Sequence, residues 1–422
     1  MRKFISKHLN KDDKLIKHSL VVFAATIAAG VCNYIFQLYM GRALGPEEYG
    51  VLGALFSMFY ALNVPSGTVQ TVVTKFVSEY KAMNEYGKIT GFFIGALKRI
   101  TLYGLVFLVV FMVVSGLIAS FLKIPQGPVI AMGFVLFLSF ISPLFTGVLR
   151  GLQRFRWFGA VSILQSALKL GFGIAFVSLG FGVMGAVNSL NLSILISMAI
   201  ALIPVWFLFS QPKDPVEHLE VFRYGFFVLA GTMALMFITN IDMFLVKHFF
   251  SAAEAGYYAA ASMLAKIPWF ASGALAAVMF PKISELHTRK EDSSAILKST
   301  VFYTALISFS VVLVYFVAPT FVTRMLYGSE YLAVKDIIGY LSLGLGFFAL
   351  NTVLAMYNFA VKRTGFVYMI LCFLAVEFLL ILFVHSTLLE VVKIVAVTNI
   401  ALFFYLMFYT RKEFGITNGI TP

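Results

Sequence analysis

Residues 255–280 read "AGYYAAASMLAKIPWFASGALAAVMF". A bilayer core is crossed by roughly 20 apolar helical residues, and this run is long enough. Its interruptions are an ammonium group, Lys266, near the middle and a helix breaker, Pro268, two residues later. Both are costly at membrane depth, and ionisable residues there face a cavity or a partner.

The rest of the chain is written in the same style. Of 422 residues 60% are hydrophobic and 12% are charged, with mean hydropathy +0.92. A soluble protein carries about a quarter charged residues, so this chain has the bilayer for its solvent. Apolar runs fall at about 17–40, 49–74, 100–122, 128–149, 157–180 and 182–209. A second set falls at about 221–247, 255–281, 299–321, 332–360, 365–385 and 390–410. The expectation is an all-α integral membrane protein of twelve transmembrane helices, without a soluble domain.

Charge supplies the orientation. The net charge is +13, and 24 of the 32 Lys and Arg fall in alternate loops, from the tail Arg2–Lys17 to Arg411 and Lys412. The opposite loops hold six: Arg42, Lys123, Lys247, Arg324, Lys335 and Lys393. This positive-inside asymmetry predicts cytoplasmic termini and a retained basic tail rather than a cleaved signal. It accounts for the basic pI without nucleic acid. Cys32 and Cys372 are too few for a disulfide framework or a metal cluster.

A shift of 206 residues lays Glu48, Gly50, Ala54, Ser66, Gly67, Val72, Ser78, Glu79 and Glu85 on identical residues, nine of 38 positions. "SAAE" at 251–254 is a capping box, and "GPEE" at 45–48 places Gly at the cap and Pro at the first helical position. Two pseudo-symmetric six-helix lobes follow, 1–210 and 211–422. Repeated lobes with a site near the midplane are a transporter pattern.

At 1.5 Å per residue, Lys266 and Lys169 lie roughly 18 Å from their helix starts, at mid-membrane, and Glu377 at similar depth. Asp242, Lys247 and Arg42 lie nearer the outer end. Polar stripes accompany them: Asn63, Ser66, Gln70 and Thr74 in the second helix, and Ser162, Gln165 and Lys169 in the fifth. Asn33 with Gln37, Asn188 with Asn191, and Asn351 with Asn358 form shorter ones. Such faces line water or join helices. Two readings compete for the lysines: buried pairs with Glu377 or Asp242, or a hydrated cavity with a cationic lining suited to phosphate or diphosphate. Lys266, Lys169, Arg42, Asn33, Gln37, Asn63, Gln70 and Asn240 are the candidate cavity set. Asp242 and Glu377 are candidates for H⁺ or Na⁺ coupling, with no other cofactor, and Pro65 and Pro268 for hinges.

An enzyme reading finds little support. The outer loops hold only Glu47, Glu48, Glu254, Glu330, Asp336 and Glu390 as acids, three of them explained by capping. "GLGFFA" (344–349) lies in an apolar run without a strand, and no P-loop pattern occurs.

"MGRALGPEEYGVLGALFS" (40–57), "LRGLQRFRWFG" (149–159), "NIDMFLVKHFFSAAEAGYYAAASML" (240–264) and "FPKISE" (280–285) resemble the polysaccharide-transporter family. These are the O-antigen or oligosaccharide flippases of the multidrug/oligosaccharidyl-lipid/polysaccharide exporter superfamily. The resemblance implies a V-shaped pair of lobes and alternating access. It implies a polyprenyl-diphosphate-linked glycan carried from inner to outer leaflet of the cell membrane, with membrane lipids and other polysaccharide-assembly proteins as partners. By the same resemblance cavity cations hold the diphosphate, a role that Lys266 and Arg42 fit in kind; Lys169 is added from its depth. The alternatives are a drug–cation antiporter of the same superfamily, which expects an acidic cavity, and a peptidoglycan lipid-precursor flippase, which usually carries two more C-terminal helices.

Overall fold

The computed structural model describes residues 2–214, 233, 236–289, 291–361, 363 and 365–411, with side chains of the first helix from Ala24 onward. Among these residues the fold is helical throughout and holds no strand. Among the described residues, nine helices are long and apolar enough to cross a membrane. The twelve expected spans map onto them unevenly. The first two form one helix, α1 (Arg2–Leu62), merged across a kink at Gly45 and continued after Asn63 by α2 (Val64–Ala82). Most of the seventh, expected at 221–247, lies outside the described residues, and the eighth is divided at Lys266.

Two compact units make up the chain. The first comprises Met1–Leu44 and Leu62–Ala230, the second Gly45–Ala61 and Gly231–Pro422. The segment 45–61 therefore groups with the second unit, a membership that a cut at 210 does not foresee.

In the first unit α2 packs on α3 (Tyr86–Leu122) and α4 (Gln126–Gly151), and α4 packs on α5 (Phe155–Ser178) and α6 (Gly182–Leu202). Small residues set the closest crossing. Gly147 and Gly151 of α4 lie against Val73 and Val77 of α2, with no room for a Cβ. Around that seam Phe93, Leu144, Val148 and Leu149 form a buried core with Val205 and Leu208 of the following 3₁₀ turn.

In the second unit the elements are α7 (Ile241–Phe249), α8 (Ala252–Ala265), α9 (Ile267–Arg289), α10 (Ser294–Val317), α11 (Pro319–Leu326), α12 (Ile338–Ala360), α13 (Phe366–Phe383) and α14 (Leu388–Tyr409). α12 is the hub, touching α8, α9, α10 and α14, and is buried along most of its length. α3, α10 and α13 present the opposite extreme, with apolar residues such as Val113, Leu117, Phe302, Val317 and Phe383 exposed. An apolar surface that large needs lipid around it, so the protein is a multi-pass membrane protein.

Local chemistry explains the helix ends. Gly45 takes φ +70°, open to glycine at little cost, and Pro46 follows where a helix lacks N–H partners anyway. Ser251 and Glu254 form the expected capping box at the start of α8.

Candidate functional site

In the second unit, α8 ends one residue before Lys266. That residue occupies the turn between α8 and α9, and Pro268 is second in the helix that restarts. A proline there forgoes no intrahelical hydrogen bond. The Lys266 side chain is buried, 8% exposed, and its Nζ donates to Asn240 Oδ1 at 3.1 Å. The same Nζ stands 5.8 Å from the centroid of the Tyr60 ring. Among the described residues no carboxylate lies within ion-pair distance of it. Among the described residues, the reading of Lys266 as half of a buried salt bridge finds no partner.

Two acids stand close by and differ. Asp242, in the first turn of α7, is buried and accepts the Tyr258 hydroxyl at 2.5 Å and the backbone N–H of Met243 at 2.8 Å. Glu377, on α13, is fully buried, and among the described residues neither carboxyl oxygen has a hydrogen-bond partner. The helices that carry Asp242 and Glu377, α7 and α13, pack on each other. Asn240 ties the cluster to the backbone, donating Nδ2 to the Met236 carbonyl at 2.7 Å. The arrangement holds a cation against a neutral amide, a satisfied acid beside it, and an acid with both oxygens bare.

The first unit holds a smaller counterpart. Lys169 of α5 donates to Asn33 Oδ1, and its Nζ lies 4.6 Å from the centroid of the Phe36 ring. Asn33 Nδ2 reaches Ser166 Oγ at 3.4 Å. Lys169 and Asn33 are half-buried, and Gln37, a turn further along α1, is buried. Gly173 lets α5 close on Phe36 and Met40. This is a second ammonium met by an amide oxygen and an aromatic face rather than by an acid.

The remaining predicted residues fall elsewhere. Gln70 donates to Thr146 Oγ1 at 2.7 Å and accepts from Arg150 at 3.1 Å. Ser66 donates to the Ser139 carbonyl at 2.8 Å and to Asn63 Oδ1, so this stripe joins α2 to α4. Pro65, like Pro268, is second in a helix that restarts after a turn, here at Asn63. Asn351 and Asn358 bridge α12 to α14 and its C-cap, through the Asn399 carbonyl at 2.9 Å and Thr410 Oγ1 at 2.9 Å. Arg42 is exposed, three residues before the Gly45 kink. Sequence spacing did not single out Tyr258, Tyr60 or Phe36. Each meets its charged partner from another helix, where no periodicity within one helix could point to it.

The polysaccharide biosynthesis protein family matches residues 39–336. No curated protein matches. Among solved structures, an inward-facing multidrug resistance transporter of the MATE family and MOP superfamily is 12% identical with TM-score 0.74, covering 91% of this chain and 96% of that one. The lipid II flippase MurJ, in an inward closed conformation, is 14% identical with TM-score 0.72, covering 93% of this chain and 89% of that one. A MOP superfamily transporter from Pyrococcus furiosus, described as having a binding pocket of reverse polarity, is 14% identical with TM-score 0.60, covering 94% of both chains. At these identities the likeness establishes the transporter fold.

Proposed function

The chain belongs to the polysaccharide biosynthesis protein family, and from that premise we propose that it is a flippase, not an enzyme. Its cargo is a polyprenyl-diphosphate-linked oligosaccharide, carried from the inner to the outer leaflet of the cytoplasmic membrane by alternating access. The observation that carries the reading is Lys266: a buried ammonium hydrogen-bonded to Asn240 and, among the described residues, joined to no carboxylate. A buried cation with no carboxylate in direct contact among the described residues can accept an anion, and a diphosphate supplies one. Lys169, placed on Asn33 and Phe36, offers a second positive charge of the same construction. The twelve-helix topology, the 206-residue repeat and the cytoplasmic termini belong to this proposal, supported by the charge asymmetry and by the MOP neighbours.

Glu377 and Asp242 would couple the cycle to H⁺ or Na⁺. A buried carboxylate with no donor at either oxygen is expensive, and a bound proton or sodium ion removes that cost. The same bare carboxylate supports the rival reading, an antiporter of cationic drugs, which the multidrug-transporter neighbours share in fold. The neighbouring lipid II flippase supports cargo with a lipid-linked anionic head.

The test is leaflet crossing of a fluorescent polyprenyl-diphosphate oligosaccharide in proteoliposomes, comparing wild type with Lys266→Ala and Lys266→Met. Crossing by wild type that collapses in both variants is expected. Wild-type vesicles that carry a small cation but never the lipid would hand the function to the antiporter.

A further inference from the structure

The first unit carries a second group of cations, at the end that the charge asymmetry assigns to the inner face. Arg150 stands in the last turn of α4, Arg154 just beyond it, and Lys81 in the last turn of α2. Lys81 Nζ donates to the Leu152 carbonyl at 2.8 Å and to Gln153 Oε1 at 3.2 Å, which brings it between the two arginines in the chain. Lys81 and Arg154 are near enough for each charge to act on the other. Arg150 donates to Gln70 Oε1 at 3.1 Å and lies 5.2 Å from the Phe158 centroid. Arg154 donates to the Pro204 carbonyl and lies 4.6 Å from the Phe207 centroid.

Three features separate this group from an ordinary basic loop. All three side chains are half-buried, whereas Lys75, Lys98, Arg99 and Arg156 at the same end are exposed. Their partners are amides, carbonyls and aromatic faces, and among the described residues none of the three meets a carboxylate. Gln153, which accepts from Lys81, holds φ +60°, a left-handed conformation that non-glycine residues seldom adopt. Two guanidinium planes fixed on aromatic rings keep donors to spare, since each has five and gives one to the contacts above.

The geometry points to a phosphate-binding site formed by Lys81, Arg150 and Arg154 at the inner-face end of the first unit, apart from the Lys266 and Lys169 clusters. Its ligand is a phosphate ester anion of the inner leaflet: the diphosphate of the lipid-linked cargo or the phosphate of an anionic phospholipid. Resting on the flippase reading, the site captures the head group before it enters the protein. Guanidinium and ammonium donors directed at one anion make charge-assisted hydrogen bonds.

The experiment uses the full chain in phosphatidylcholine nanodiscs. Lys81 is acetylated by an amine reagent, and its modification is followed by mass spectrometry against exposed Lys98. A polyprenyl diphosphate, inorganic pyrophosphate or added phosphatidylglycerol is supplied in separate arms. Protection of Lys81 but not Lys98 is expected. Protection by the two diphosphates alone identifies the cargo as the source, and protection by phosphatidylglycerol as well identifies a general inner-leaflet phosphate site. Arg154→Gln should weaken polyprenyl-diphosphate binding about tenfold, the worth of one charge-assisted hydrogen bond, and Arg154→Lys should weaken it less. The labelling arm needs no mutation, so a misfolded variant leaves the test standing. Lys81 equally reactive in every arm overturns the proposal. The two readings separate: Lys266→Ala should stop crossing without changing Lys81 protection. Wild type that protects Lys81 but moves no lipid refutes the flippase alone, and crossing with Lys81 unprotected refutes the site alone.

Discussion

Gly50 and Gly256, 206 residues apart in the chain, meet backbone to backbone. A Cβ on Gly50 would stand 2.7 Å from the Gly256 nitrogen, beside the Ala252 carbonyl, and one on Gly256 would land on the Pro46 carbonyl. Pro46 and Ala252 are themselves 206 residues apart, so the contact reads the same from either side. Gly53 repeats it a turn later against Ala259. Small residues at this crossing let the segment 45–61 lie directly on α8, which is how close helix packing is obtained in lipid.

Gly256→Ala forces backbone against backbone, which no rotamer change relieves. The expected destabilisation is about 3 kcal/mol or more, beyond ordinary overpacking. Gly67→Ala, where nothing lies within 4 Å, is the control and should leave the melting temperature unchanged or raise it, since alanine favours the helix. Thermal unfolding of the purified protein in detergent measures both.

Tyr258→Phe removes the hydroxyl that satisfies Asp242 Oδ2 and leaves a buried carboxylate oxygen bare. The loss should be about 1–3 kcal/mol. Adding Asp242→Asn to it should cost less than the sum of the two single changes, because the charge needing the hydroxyl has gone. A double-mutant cycle on melting temperature reads the coupling, and strict additivity would show that the hydrogen bond carries none.

At the start of α10, outside the membrane, Asp292 accepts from the backbone N–H and the hydroxyl of Ser294, at 2.9 and 2.8 Å. The backbone hydrogen bond first, and the hydroxyl second, hold its carboxyl below the usual range. A depressed carboxyl stabilises the fold above its unfolded pKa of about 3.9 and loses that contribution as pH falls through the folded value. Protection of the Ser294 amide against hydrogen exchange should therefore be full at neutral pH and decline below about pH 4. Asp292→Asn keeps an acceptor but no titrating group, and its protection should not follow pH in that window.

Much of this was legible in the sequence, for physical reasons. Apolar runs flanked by Lys and Arg mark a membrane protein because lipid tolerates little else, and the capping box at Ser251 is a contact local in sequence. Lys266, Lys169 and Glu377 stand out as ionisable groups at mid-membrane depth, where each needs a reason. What stayed hidden lay between helices. The Tyr258 hydroxyl on Asp242 joins residues 16 apart on different helices, and Gln70 serves a seam with Thr146 that a one-helix pattern cannot distinguish from a wet face. The grouping of 45–61 with the second unit depends on the Gly45 kink, a backbone angle that Gly permits and does not announce.

Glu377 offers the sharpest test of ion coupling, because stability and transport should respond to it in opposite directions. Fully buried and with both oxygens bare among the described residues, the carboxyl destabilises the fold unless something binds it. Glu377→Met keeps the volume and removes the polar atoms, so in buffer without Na⁺ near pH 8 it should raise the melting temperature, by a gain of about 1–3 kcal/mol. The same variant should move lipid at a rate indifferent to pH and Na⁺, whereas wild type should depend on one of them. If the melting temperature of wild type rises with added Na⁺ while that of the variant does not, the ion binds at this carboxyl, as linkage requires. If wild type responds to acid but not to Na⁺, the proton is the coupling ion. A variant less stable than wild type under every condition, with lipid crossing unchanged, would make Glu377 a structural residue and remove it from the transport cycle.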